Sequence, residues 1–228
     1  MSSDLFKAID KVLENKSMLK HQFYQAWNQG NLTQEMLKQY ACQYNHFIKD
    51  FPRMVSAVHS NTLDISVRQE LLKNLIDEEN GMENHPALWV RFAKALDASE
   101  EELQGATQLP STTNLIDTMM DICRNRSFQE GAAALYTYEA QIPEVSRVKV
   151  EGLKRFFNIS DPGAVKFFSV HQEADVFHSR AEREMIESHT PPELVLPVQE
   201  ASARTAEALW KFLDGVYYTY VAEGVVSC

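Results

Sequence analysis

Two histidines and an aspartate between residues 171 and 178 have the types and the spacing of metal ligands. His171, Asp175 and His178 stand at positions i, i+4 and i+7, which lie on one face of an α-helix. Two imidazoles and a carboxylate aligned in this way are suitable ligands for a transition metal. A row of apolar residues lies beside them at helical spacing and is typical of a core-facing helix: Phe167, Val170, Ala174, Phe177 and Ala181. The three ligand-type side chains are therefore expected to border the core.

Two other segments carry a carboxylate where helical spacing predicts an apolar residue. Glu78 and His85 take core-facing positions if one helix carries the series Leu71, Leu75, Glu78, Met82 and His85. Glu139 is the anomaly in the series Ala132, Leu135, Glu139 and Ile142. An unpaired carboxylate is costly to bury, so such a group is normally protonated, ion-paired or bound to a metal.

Together the three segments supply three carboxylates and three imidazoles. Six such ligands suit a dinuclear iron or manganese site, whereas zinc is satisfied by four ligands and calcium does not favour histidine. The alternative is a set of buried salt bridges to Arg147, Arg180 or Lys149. Taken singly, each residue favours the salt bridge. The six together favour the metal, because three histidines add nothing to a network of salt bridges.

Three helices are expected to position these ligands. The first begins at Asp64 and runs past Glu78. The second begins at the capping box that opens with Ser127, and Pro143 should distort it because proline cannot bond to the carbonyl four residues earlier. The third begins at Asp161, an N-cap followed by proline at the first helical position.

Helical spacing nearly everywhere predicts an all-α chain that forms a single domain over residues 1–228. The 22 basic and 32 acidic residues give a net charge of -10, which argues against nucleic acid as a partner. The sequence lacks an apolar run long enough to cross a membrane, and the N-terminus lacks a signal core, so a cytoplasmic location is expected. Cys42, Cys123 and Cys228 lie far apart and are expected to be reduced thiols.

At the ligand segments the sequence resembles a known family. The segments 77–85 (DEENGMENH), 134–143 (ALYTYEAQIP) and 171–178 (HQEADVFH) are similar to the CADD family, the chlamydial protein associating with death domains. The likeness extends from about residue 11 to Leu213. This family is part of the heme-oxygenase-like diiron oxidase group, in a superfamily with TenA-like thiaminases and PqqC-like oxidases. The resemblance implies a helical bundle that forms a homodimer and activates O2 at two transition-metal ions, Fe/Fe or Fe/Mn, with an external reductant.

The resemblance also implies residue roles. The six family ligands correspond to Glu78, His85, Glu139, His171, Asp175 and His178. The family supplies p-aminobenzoate for folate synthesis by cutting the ring from one of its own tyrosines, with a lysine as amino donor. The matching residues are Tyr24 and Lys149, and Tyr40 and Tyr138 match further tyrosines near the metals.

Spacing alone gives these residues ordinary roles. A tyrosine between Phe23 and Trp27 is usually a core or interface residue. Lys149 lies on the stripe Val145, Lys149, Gly152 and Phe156, so it is either partly buried with a depressed pKa or a surface lysine whose stem covers apolar neighbours.

Three other functions are alternatives to self-sacrificial synthesis. An oxygenase for an external small molecule, such as an amino or fatty acid, needs the same ligands but not Tyr24. A protein that binds death domains fits the sequence poorly, because the likeness is concentrated at the ligands and no docking motif stands out. A thiaminase would leave three buried carboxylates without a purpose.

Overall fold

A computed structural model describes residues 2–222, with side chains from residue 4 onward. Cys228 lies outside the described residues. Within them the chain is all-α, as predicted, and contains eleven α-helices, two short 3-10 turns (Met18–Lys20 and Pro192–Leu194) and no β-strand. The helices are α1 (Ser2–Asn15), α2 (Gln22–Gln29), α3 (Gln34–Ser60), α4 (Ile65–Glu79), α5 (His85–Ala95), α6 (Glu100–Gly105), α7 (Pro110–Asn125), α8 (Phe128–Glu139), α9 (Ile142–Phe156), α10 (Lys166–His189) and α11 (Val195–Tyr220).

The long helices pack around α8, which is buried along nearly its whole length. Helix α11 packs against α1, α7 and α8, and α10 packs against α8 and α9. Helix α3 closes the bundle against α4, α5 and α7 and buries an aromatic stripe spaced by four, three and four residues: Tyr40, Tyr44, Phe47 and Phe51. None of the helices in residues 2–222 has the length and apolar character needed to span a bilayer.

The helix that carries Glu78 does not continue to His85, so the condition that would place both residues on one helix is not met. Helix α4 ends at Glu79, and the next five residues form a linker in which Gly81 takes a φ of 74°. Asn84 then caps α5 by accepting a hydrogen bond from the Ala87 amide at 3.0 Å. The break has a physical cause, since glycine favours positive φ and an asparagine cap starts a new helix. Met82, expected on the buried face, is 94% exposed.

Of two helix boundaries near prolines, one agrees with the prediction and the other differs. Pro143 does interrupt its helix as predicted, because α8 ends at Glu139 and α9 starts at Ile142 with this proline in its first turn. Asp161 does not start α10, however. Its carboxylate accepts a hydrogen bond from the Ala164 amide at 2.9 Å in a preceding turn, and the helix itself begins at Lys166.

The apolar stripe of α10 does not face the core beyond Phe167. Val170, Ala174 and Ala181 are only half-buried, and Phe177 is 72% exposed. The face with His171, Asp175 and His178 points inward instead, against α8 and the end of α4. Packing therefore selects the ligand face of this helix, so polar groups rather than apolar ones occupy the interior here.

We predict that Gly152→Ala destabilises the protein by about 1–3 kcal/mol, because overpacking a rigid contact forces the helices apart. A Cβ at Gly152 in α9 would overlap the indole of the fully buried Trp27 in α2. The matched control is Gly105→Ala, where a Cβ meets nothing within 4 Å. Urea unfolding measures both variants. Equal stability of the two would show that α2 and α9 are not in close contact.

Candidate metal centre

The six ligand-type residues predicted from sequence form two groups of buried side chains. One group is Glu78, His85 and His171, and the other is Glu139, Asp175 and His178. Within each group, one ligand atom per residue lies within 4.8 Å of the others. The two groups lie close together, as shown by the effect of the Glu78 charge in the first group on Asp175 in the second. The break between α4 and α5 means that four helices, not three, supply the set.

Hydrogen bonds fix which nitrogen of two histidines faces its group. Nδ1 of His171 lies 2.6 Å from the Phe167 carbonyl, so it donates its proton there and leaves Nε2 unprotonated. Nε2 of His178 lies 3.0 Å from Oδ2 of Asp77, which leaves Nδ1 facing Glu139 and Asp175. Metal-binding histidines are typically oriented by a carbonyl or carboxylate on the other nitrogen.

Several buried atoms of the two groups have no hydrogen-bond partner. They are His85 Nδ1, Glu139 Oε2, Asp175 Oδ2 and His178 Nδ1. His85 Nδ1 lies 2.9 Å from Glu78 Oε1, yet the angles do not make a hydrogen bond. His178 Nδ1 is likewise 3.6 Å from Asp175 Oδ1 and 3.8 Å from Glu139 Oε1. Lone pairs that converge without bonding to one another suit a shared cation, so the donor set fits two transition-metal ions.

Burial makes these charges costly. Desolvation, followed by the charges of Glu139 and Glu78, raises the pKa of Asp175 to about 8. Desolvation also raises the pKa of Glu139. Burial alone would lower the pKa of His178, but the nearby carboxylates of Asp175 and Glu139 raise it to about 9. The ligands thus hold protons that a metal ion would displace.

The salt-bridge alternative is wrong for all three cations that the sequence offered. Arg147 pairs with Glu144 and Glu151 on the surface of α9. Arg180 pairs with Glu184 within α10. The amine of Lys149 contacts a tyrosine hydroxyl rather than a carboxylate. The two ligand groups therefore receive no balancing charge from these side chains.

Four tyrosines extend from the ligand groups into the bundle. The hydroxyls of Tyr138 and Tyr44 are 2.7 Å apart, and both residues lie near enough to feel the charge of Asp175. The Tyr44 ring stacks on that of Tyr40 with centroids 5.5 Å apart, and the Tyr40 hydroxyl lies 3.4 Å from that of Tyr24. Sequence reasoning missed Tyr44 as a functional residue, although it stands four positions after Tyr40 on the buried stripe.

Lys149 is buried among these aromatic rings. Its side chain is 3% exposed, and Nζ lies 2.7 Å from the Tyr40 hydroxyl and 5.6 Å from the centroid of the Tyr24 ring. Burial lowers the pKa of Lys149 to about 7. The sequence allowed either a buried lysine or a surface lysine at this position, and the structure shows the buried one. A neutral amine at neutral pH is a nucleophile and can accept a proton.

A groove between α4 and α10 leads to the second ligand group. It encloses about 230 Å³ and is lined by apolar side chains, including Leu71, Phe177 and Met185, with His178 and Glu182 at its wall. Glu182 is a buried carboxylate that sequence reasoning missed. Its signal was available, since it follows His178 by four residues on the ligand face of α10.

Comparison with known proteins places this site in a family context. Residues 9–219 match the TENA/THI-4/PQQC family. The chain is 47% identical to a 4-aminobenzoate synthase from Nitrosomonas europaea, covering 97% of this chain and 95% of that protein. It is 42% identical to a 4-aminobenzoate synthase from Chlamydia muridarum, covering 94% of this chain and 90% of that protein.

Two solved structures have a similar fold at low sequence identity. A CADD-like protein of unknown function from Nostoc punctiforme has a TM-score of 0.79 at 16% identity, covering 97% of this chain and 99% of that one. A domain with a heme oxygenase-like fold from Shewanella denitrificans has a TM-score of 0.78 at 16% identity, covering 99% and 93%. The predicted heme-oxygenase-like fold is thereby confirmed.

We predict that Lys149→Met stabilises the protein at pH 7 and that this gain shrinks as the pH rises towards 9. The ordinary lysine pKa is about 10.4. Between pH 7 and that value the unfolded chain holds a proton on Lys149 that the folded chain lacks, so wild-type stability rises with pH. The gain should fall by roughly 1 kcal/mol per pH unit, measured by urea unfolding with chelator present.

The matched control for this pH effect is Lys154→Met, five residues further along α9, where the lysine is exposed. Its stability difference from wild type should not vary over the same range. A Lys149→Met curve that runs parallel to the wild-type curve would contradict a depressed pKa.

Proposed function

The chain belongs to the TENA/THI-4/PQQC family, and we propose that it is an O2-activating dimetal oxygenase that makes p-aminobenzoate from its own Tyr24. Relatives 42–47% identical to it are 4-aminobenzoate synthases, which supports this product. The observation that carries the self-sacrificial step is the meeting of Tyr24 and Lys149 at the hydroxyl of Tyr40, 3.4 and 2.7 Å away. All three side chains are buried.

In this proposal Glu78, His85 and His171 would hold one metal, and Glu139, Asp175 and His178 the other. Iron with iron or iron with manganese suits this mixture of carboxylate and imidazole ligands. When bound, the pair supplies the oxidising power of O2, which the phenol chemistry requires. An external reductant, a homodimeric assembly and a cytoplasmic location complete the proposal.

The atoms of the product define what must happen to Tyr24. p-Aminobenzoate has an aromatic ring with one carbon on one side and nitrogen opposite. In tyrosine that carbon is Cβ, so the bond from Cα to Cβ must break and Cβ must be oxidised to a carboxylate, with O2 as the oxidant. Nitrogen must replace the phenol oxygen, which leaves as water, and the bond from Cε to Nζ of Lys149 must break to release that nitrogen. Nζ of Lys149 and the hydroxyl of Tyr24 both lie beside the hydroxyl of Tyr40, and Nζ is 5.6 Å from the centroid of the Tyr24 ring. That position suits an amino donor.

The tyrosine series connects the ring of Tyr24 with the ligand groups. Desolvation raises the pKa of Tyr24, Tyr40, Tyr44 and Tyr138 above the ordinary value, so every phenol is protonated and must release its proton on oxidation. The 2.7 Å contact of Tyr44 with Tyr138 and the 2.7 Å contact of Tyr40 with Lys149 provide acceptors for those protons. Electrons can then pass between stacked rings while each proton moves a short distance.

Exclusion of water protects an oxidised ring from side reactions. Tyr24 is 2% exposed, and Phe23 and Trp27 pack against it with centroids 5.4 and 6.3 Å away. Tyr24 therefore lies in a dry aromatic cluster, away from the groove between α4 and α10. An external substrate would be expected at that groove instead.

We predict that Tyr24→Phe abolishes p-aminobenzoate formation and leaves metal content unchanged. The ring without its hydroxyl resists oxidation and offers no oxygen to replace. Wild-type protein with ring-¹³C tyrosine should release labelled product, never exceeding one molecule per chain, and lose the corresponding mass. Chromatography with mass spectrometry measures product and protein together.

The matched control is Tyr136→Phe, a buried tyrosine on α8 whose hydroxyl lies 3.3 Å from Arg183. It should retain product formation. Undiminished synthesis by Tyr24→Phe, or many turnovers per chain, would replace self-sacrifice with an oxygenase that acts on an external substrate.

A further inference from the structure

Glu182 is a fourth buried carboxylate beside the two ligand groups. Its side chain is 2% exposed, and neither carboxylate oxygen has a hydrogen-bond partner. Its side chain lies against that of Glu139. Buried polar groups are nearly always paired, so a carboxylate with both oxygens unpaired requires an explanation.

The surrounding cations do not provide one. Arg183, the next residue along α10, turns away to Tyr136 and Asp10 at 3.3 and 3.4 Å. The largest electrostatic influences on Glu182 come from Glu139, Asp175 and Cys123, none of which carries positive charge. A buried anion among other acids is unfavourable without a cation.

The position of Glu182 on α10 is that of a ligand. His171, Asp175, His178 and Glu182 stand at i, i+4, i+7 and i+11, the spacing of a single helix face. All four side chains are buried. Across from them, Oε1 of Glu139 accepts a hydrogen bond from Asn74 at 2.9 Å, and Oε2 has no hydrogen bond.

We propose that Glu182 is a seventh protein ligand, which binds the metal ion held by Glu139, Asp175 and His178. This inference rests on the dimetal centre of the proposed function. Glu182 also lines the groove between α4 and α10, together with His178. The competing account is a protonated Glu182 that donates a hydrogen bond to Glu139.

Substitution by glutamine distinguishes a metal-binding Glu182 from a protonated Glu182 that only donates a hydrogen bond. The amide of Glu182→Gln keeps a hydrogen-bond donor but loses the anionic oxygen, whereas Glu182→Ala loses both. Titration of metal-depleted protein with Mn²⁺ alone, followed through the EPR signal of free Mn²⁺, gives the number of sites and their affinities. The matched control is Glu184→Gln, an exposed carboxylate on the same helix.

Wild type and Glu184→Gln should bind two Mn²⁺ per chain. In both Glu182 variants one of the two sites should weaken by at least about tenfold while the other keeps its affinity. Two sites of wild-type affinity in Glu182→Gln would overturn the seventh ligand. Failure of wild type to bind two ions would instead overturn the dimetal centre itself.

Should the variants not fold by circular dichroism, wild-type crystals soaked in Mn²⁺ decide the question. Anomalous scattering locates the ions, and an oxygen of Glu182 within bonding distance of one supports the proposal. A Glu182 side chain that contacts only Glu139 and no ion contradicts it.

Discussion

Burial of carboxylates without lysine or arginine partners is the constraint on which the rest of this structure depends. Glu78, Glu139, Asp175 and Glu182 all lie in the interior, and the arginines nearest in sequence pair with surface acids instead. Desolvation of this kind costs several kcal/mol per unpaired charge. The bundle tolerates that cost where α4, α5, α8 and α10 meet, and the arrangement is stable only with protons or metal ions among the acids. Function and fold are linked at this point.

The bundle contains a polar region with the metal-ligand residues and a separate aromatic region. On one side, carboxylates and imidazoles offer a polar site reached by the groove between α4 and α10. On the other, Tyr24 and Lys149 lie in a dry aromatic cluster of α2, α3 and α9. Tyr44 and Tyr138 connect the two regions through hydroxyls 2.7 Å apart. In the proposed function these two hydroxyls would link the polar site to the buried ring of Tyr24.

Helical periodicity predicted the all-α fold and the burial of Glu78, Glu139 and the His171 face, because a charged residue in an apolar register is visible in sequence. Periodicity alone left open where the helix through Glu78 ends, and in the folded chain Gly81 and the Asn84 cap break the register before His85. Periodicity also misassigned the apolar stripe of α10, because two stripes competed for the interior. The roles predicted for Tyr24 and Lys149 rest on family resemblance, because a buried tyrosine or lysine has no periodic signal that marks it as reactive.

Metal content per chain tests the account most directly. Protein produced with added iron and manganese should contain about two transition-metal ions per chain by elemental analysis, one for each ligand group. A folded Glu139→Ala variant should lose at least one of them, because Glu139 belongs to a group of three buried ligands. Folded wild-type protein without metal, or a variant with the full complement, would contradict the account and leave the buried acids to be stabilised by protons alone.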